Sequence, residues 1–157
     1  MLDHTTSIQG PEARRDWMST LAKARSQDLI DAWNTLPERP RFTALRAPEH
    51  GLVLVRGRMG GAGSPFNVGE MTVTRAAVRL ETGETGVSYV AGRSREHAEI
   101  AAAVDAMMQS VALRPLVEAD IIETLKAAHE TRRTLSARKA AATRVDFFTM
   151  VRDRGPA

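Results

Sequence analysis

Hydrophobic positions recur at two spacings along the chain. Toward both ends they fall three or four residues apart, and in the middle they alternate. Trp17, Leu21 and Ala24 share one side of a helix predicted over Pro11 to Ala24. Pro11 suits the first turn, where its missing N–H leaves no bond unmade. Ser26 is placed to cap a second, short helix that contains Leu29, Ile30 and Trp33. Pro37 and Pro40 then stop helical structure.

The middle predicts four strands. Arg41 to Ala47 is the first, followed by a turn at Pro48-Glu49-His50-Gly51. Leu52 to Met59 is the second, and it ends in Gly60-Gly61-Ala62-Gly63-Ser64-Pro65. Met71 to Leu80 is the third. The breaker-rich Glu81-Thr82-Gly83-Glu84-Thr85-Gly86 leads to the fourth, Val87 to Ala91. Short connections favour antiparallel neighbours, since a parallel pair needs a longer crossover.

Helical spacing then returns. Ser94 can cap a helix reaching about Val111, with Ile100, Val104, Met107 and Val111 as its apolar stripe. After Pro115, a last helical region starts near Glu118 and extends toward Val145. Ile121, Leu125, Ala128 and Leu135 mark its buried side. A helix that long either leaves part of its length for another surface or breaks in two. The predicted class is α+β, a small antiparallel sheet flanked by N-terminal and C-terminal helices. One domain is expected over 1–157, with helices in 1–36, the sheet in 41–91, and a helical region ending in a docking segment over 94–152.

Composition narrows the classes. A chain of 157 residues buries roughly two-thirds of its unfolded surface, enough for a real core. The hydrophobic and charged fractions, 43% and 26%, exclude a disordered polyelectrolyte. Cysteine is absent, which excludes disulfides, thiolate catalysis and cysteine metal sites. No apolar run approaches the roughly 18 residues of a membrane span. Met1 to Gly10 carries Asp3 and lacks the pattern of a signal peptide, so a cytoplasmic location is expected. Only Lys23, Lys126 and Lys139 are lysines, so 19 of the 22 basic residues are arginine. Arginine suits multidentate contacts with carboxylate or phosphate. A coding bias toward Arg and Ala gives the same count.

The chemical motifs are incomplete. Arg56-Gly57-Arg58-Met59-Gly60-Gly61-Ala62-Gly63 reads as a hairpin connection or as an anion contact. It fails the P-loop pattern, because Ala62 stands where the second glycine belongs and no Gly-Lys pair occurs. Met71, Val73, Arg75, Ala77 and Arg79 share one strand face. If that strand pairs with Leu52 to Met59, Arg56, Arg58, Arg75 and Arg79 could line one patch. The bland reading is a solvated face balanced by carboxylates such as Glu70. His97 reads first as a packing residue. The histidines are scattered without a ligand set, so no metal site is expected.

Arg132, Arg133, Arg138, Lys139 and Arg144 lie between Thr131 and Arg144 with no acid among them. That stretch suits phosphates or an acidic protein surface. Asp146, Phe147, Phe148, Met150, Val151 and Arg152 follow, an apolar–basic mixture suited to docking. No catalytic pair is recognisable, so the residues favour a complex-forming subunit over an independent enzyme.

Specific strings carry a resemblance. They include Trp17-Met18-Ser19, Arg58-Met59-Gly60-Gly61, Thr74-Arg75-Ala76-Ala77-Val78-Arg79-Leu80 and His97-Ala98-Glu99. Asp105-Ala106 and Ala142-Thr143-Arg144-Val145-Asp146-Phe147-Phe148-Thr149-Met150-Val151-Arg152 complete the set. In these the chain resembles the PhnG family, the G subunit of the bacterial carbon–phosphorus lyase system, over nearly its whole length. The resemblance implies a subunit of alpha-D-ribose 1-methylphosphonate 5-triphosphate synthase. That assembly moves the ribose triphosphate moiety of ATP onto an alkylphosphonate and releases adenine. The implied partners are the H, I, J, K and L subunits, the I subunit most directly. ATP is then a substrate of the complex, with no cofactor bound by this chain and no catalytic residue assigned to it.

Two sets of residues follow as expectations. Arg58, Arg75, Arg79 and Arg93 are candidate phosphate contacts. Arg144, Asp146, Phe147, Phe148, Met150 and Arg152 are candidate interface residues. The competing readings are a basic nucleic-acid-binding module and a free-standing phosphate-ester enzyme.

Overall fold

The computed structural model describes residues 10–144. Helix α1 spans Pro11–Lys23, with Pro11 in its first turn, and α2 spans Ser26–Thr35. Strands β1 (Phe42–Arg58), β2 (Pro65–Leu80) and β3 (Thr85–Ala91) follow. Helix α3 is Arg95–Gln109, α4 is the single turn Arg114–Val117, and α5 is Glu123–Ala142. The expected α+β class is what the structure contains. The sheet is antiparallel in the order β1-β2-β3.

Three strands replace the four expected. The strands expected over Arg41 to Ala47 and Leu52 to Met59 merge into one long strand, Phe42–Arg58, and the expected turn Pro48-Glu49-His50-Gly51 lies inside it. Register shifts beside Arg46 and Glu49 absorb Pro48, which lacks an N–H to donate. Because β1 is an edge strand, its proline does not interrupt a central ladder.

Thr74, Ala76, Val78 and Leu80 of β2 and Ser88 and Val90 of β3 are buried on the inner face, beneath α3. Val73, Arg75, Ala77 and Arg79 alternate with them on the outer face. Helix α3 is buried nearly all round from His97 to Met108, rather than along one stripe. Ala98, Ala101, Ala102, Ala103 and Ala106 let the sheet and the other helices approach it closely. Val111 lies beyond its end and is 68% exposed, which corrects the expected stripe.

Gly86 explains part of this closeness. A Cβ there would collide with the carbonyl oxygen of Ala102 and lie 2.5 Å from the amide nitrogen of Ala106. Gly86 is therefore a packing position in β3, not merely the end of a turn.

Capping is half as expected. The Ser94 hydroxyl accepts the amide of His97 at 3.2 Å and caps α3. Ser26 instead occupies the first helical position after the N-cap Arg25, and its hydroxyl meets that of Ser94 at 3.0 Å.

The last helical region is divided. A π-helical turn over Glu118–Ile122 separates α4 from α5. The wider turn brings the adjacent Ile121 and Ile122 both into the core, with Val117 and Leu125. Beyond Ala128 the helix emerges, and Leu135 is 52% exposed, not buried as its spacing suggested.

The core is tied together by Asp105. Its wholly buried carboxylate accepts from Arg14 Nε and Nη2 at 3.2 and 2.7 Å, Trp17 Nε1 at 2.9 Å and the Val87 amide at 2.9 Å. One side chain thus fixes α1, α3 and β3 to each other. Arg114 lies over the Trp17 ring, 5.3 Å from its centroid.

Candidate interaction and anion-contact surfaces

β2 pairs with β1 from Pro65 to Leu80 but with β3 only from Val73 to Arg79. The remainder of the β1–β2 hairpin projects as a two-stranded arm. Its tip is a 3-10 turn over Met59–Gly61, where Gly60 and Gly61 have φ of 58° and 81°. Leu52, Leu54, Val55, Met59, Phe66, Val68 and Met71 are all exposed on it. A Cβ at Gly57 would lie 2.7 Å from the Val68 side chain, so the bare glycine lets Val68 and Phe66 lie across that face. An isolated hairpin is marginal in water, and apolar groups clustered on one mark a contact surface.

The arginines of this sheet do not form one patch. Arg56 and Arg58 pair with Asn67 and Pro65 at the arm's tip, whereas Arg75 pairs with Glu49 and Arg79 with Thr43. Ten residues of β2 separate Pro65 from Arg75, about 33 Å at strand rise. The strands pair as supposed, but the register sets the two arginine pairs at opposite ends. Arg58 Nη1 donates to the Gly63 carbonyl at 3.1 Å and closes the tip loop.

Arg75 is the best-held of the group. Its Nε donates to Glu49 Oε1 at 2.6 Å and its Nη1 to the Tyr89 hydroxyl at 3.3 Å. Arg46 Nη1 donates to the same Glu49 oxygen at 2.6 Å. The carboxylate that balances this face is thus Glu49, not the expected Glu70. Its hydrogen bonds from Arg46 and then Arg75 hold its carboxyl below the usual range. Hydrogen bonding to Tyr89 and then Glu49 raises Arg75. Arg79 is exposed on the same face, and Arg93 is exposed in the turn between β3 and α3.

His97 is a buried packing residue. Its Nε2–H donates to the Leu21 carbonyl at 2.9 Å, and burial lowers its pKa against the opposing effect of that bond. Among the described residues no group of three His, Asp or Glu could hold a metal ion, and no helix is long and apolar enough to cross a membrane.

The basic stretch on α5 faces outward. Lys23, Arg25, His129, Arg132 and Arg133 line a groove of about 670 Å³. Arg132 is partly committed through an ion pair with Asp28. Arg144 is exposed just past the helix. Asp146, Phe147, Phe148, Met150 and Arg152, expected at an interface, lie outside the described residues.

An exposed apolar arm, dispersed arginines and an outward basic helix describe a surface rather than a chemistry. Comparison with known proteins supplies the rest. The family model described as phosphonate metabolism protein PhnG matches residues 12–153. The chain belongs to the PhnG family. A PhnG relative from Rhizobium meliloti (strain 1021) is 46% identical over 148 residues, covering 94% of each chain. It is described as alpha-D-ribose 1-methylphosphonate 5-triphosphate synthase subunit PhnG. The surfaces above are therefore those of a PhnG protein, a protein of phosphonate metabolism. What the sequence did not reveal was the arm: its alternating apolar residues look like any half-buried strand, and only the pairing shows that, among the described residues, no third strand lies beside it.

Proposed function

We propose that this chain is the G subunit of a multi-protein transferase that moves the ribose triphosphate moiety of ATP onto an alkylphosphonate and releases adenine. The observation that carries the reading is the 46% identity, over 94% of both chains, to a relative described as a subunit of that synthase. Within the assembly the chain is a supporting subunit whose partners are the H, I, J, K and L subunits, with the I subunit contacted most directly. The apolar arm supports this reading, because a surface of that kind is covered in an assembly.

Contact with phosphate falls to Arg58, Arg75, Arg79 and Arg93. Because they lie apart, each would join groups from another subunit around the triphosphate or the phosphonate. The segment from Arg144 to Arg152 is an interface element, by its apolar–basic composition. The reaction takes place in the cytoplasm.

The test is co-expression with the neighbouring subunits, followed by copurification and an ATP-plus-methylphosphonate assay with and without this chain. Loss of adenine release without the chain is expected. Full activity in its absence overturns the reading. Arginine-to-glutamine substitutions in the intact complex test the phosphate contacts, and unchanged kinetics with normal assembly refute them. The basic groove beside α5 favours a second reading as a nucleic-acid module. Tight, salt-dependent binding of an arbitrary duplex would support it.

A further inference from the structure

The two edges of the sheet differ. The β1 edge carries Pro48, register shifts and the charged Arg46 and Glu49, all devices that discourage strand addition. The β3 edge, Thr-Gly-Val-Ser-Tyr-Val-Ala, has no charge, proline or bulge.

Its backbone is also half open. The amide of Leu80 donates to the Glu84 carbonyl, and that of Gly92 to the Thr72 carbonyl, each at 2.9 Å. This alternation turns the even-numbered residues of β3 toward β2 and the odd-numbered ones toward the free side. On the free side, Gln109 Nε2 donates to the Thr85 carbonyl at 2.8 Å, and Asp105 accepts the Val87 amide. Among the described residues, nothing closes the Val87 carbonyl, the Tyr89 amide and carbonyl, or the Ala91 amide. Two donors and two acceptors thus stand in ladder spacing.

Beside them lies a cavity of about 460 Å³ between β3 and α1, with Met18, Leu21 and Ala22 on its helical wall. Arg14 and Arg15 also line it. Arg14 is committed to Asp105. Arg15 is exposed and meets no carboxylate among the described residues.

We propose that this edge seats an added strand, an extended apolar segment of a companion subunit carrying a carboxylate opposite Arg15. The proposal rests on the reading of the chain as a complex subunit. Main-chain bonds to Val87, Tyr89 and Ala91 hold the segment, and its inward side chains enter the cavity. A second copy fits less well, because edge-to-edge pairing would bring the arginines of two copies together.

The test compares hydrogen exchange in the isolated chain with that in the complex co-expressed with its companion subunits. Exchange at the Tyr89 and Ala91 amides is expected to slow by about tenfold or more in the complex. Tyr89→Pro removes the outward N–H, with the side chain, and breaks no ladder bond to β2; it should abolish copurification, while Tyr89→Phe, which loses only the hydroxyl bonded to Arg75, should leave it intact. Arg15→Glu should weaken assembly without altering the fold, and it serves as the test if the proline variant fails to fold. Unchanged exchange in an active, intact complex overturns this proposal and leaves the subunit reading standing. Slow exchange already present in the isolated chain also overturns it. Dependence on concentration would then assign the edge to a second copy, and relief on removing residues 1–9 would assign it to the chain itself. Failure of the wild-type chain to join any companion subunit overturns both readings.

Discussion

Replacing Asp105 with alanine should cost about 3 kcal/mol of folding stability. The carboxylate is fully buried and accepts four hydrogen bonds. Its loss leaves the Trp17 indole N–H and the Val87 amide without their acceptor, at about 1–3 kcal/mol each if they remain dry. The Arg14 contribution is smaller than a buried ion pair would suggest. Its side chain is 34% exposed and can turn to water, so its share is about 0–1 kcal/mol. For a domain of this size the sum lowers the melting temperature by about 6–12 °C. Urea denaturation followed by circular dichroism at neutral pH measures the loss. Arg14→Met should cost a comparable amount, about 3 kcal/mol, because it leaves the wholly buried Asp105 carboxylate without its cation. A loss below about 1 kcal/mol for Asp105→Ala would refute the reasoning.

Three further outcomes follow from the packing. Gly86→Ala forces a methyl group into the backbone of α3 and should cost about 3 kcal/mol, read as a lower denaturation midpoint. His97 resists protonation when folded. Its contribution is therefore complete above the ordinary imidazole value of 6.5 and is lost as pH falls below it, because the unfolded chain takes up the proton first. His97→Gln should flatten the fall in stability between neutral and mildly acid pH, and parallel curves for the two proteins would contradict the assignment. Thr74 is fully buried, and its hydroxyl donates to the Gly92 carbonyl at 2.7 Å and accepts from His50 Nδ1 at 3.0 Å. Thr74→Val should cost about 1–3 kcal/mol by thermal denaturation, because the carbonyl loses its partner.

The helical ends, the alternating middle and the family-bearing strings were legible in the sequence because each depends on local spacing. Pro11 at a helix start, Ser94 as a cap and the separation of α2 from β1 need only nearby residues. The join across Pro48 was not legible, since a proline is a turn signal unless the strand happens to be an edge. The burial of α3 on all sides was hidden because alanine adds little hydrophobic contrast, although it permits close approach. Leu135 and Val111 kept helical spacing, but among the described residues no neighbouring element covers them. Register decided the fate of the arginines: pairing was foreseeable, but only the bulged ladder sends Arg58 to the arm's tip and Arg75 to Glu49. Asp105 marked a family string without revealing that it joins three elements. The sequence by itself determined the elements, the class and the family, because those rest on local periodicity and residue identity. Tertiary structure decided which apolar residues and which strand edge are left uncovered among the described residues, because both depend on what packs beside them in space.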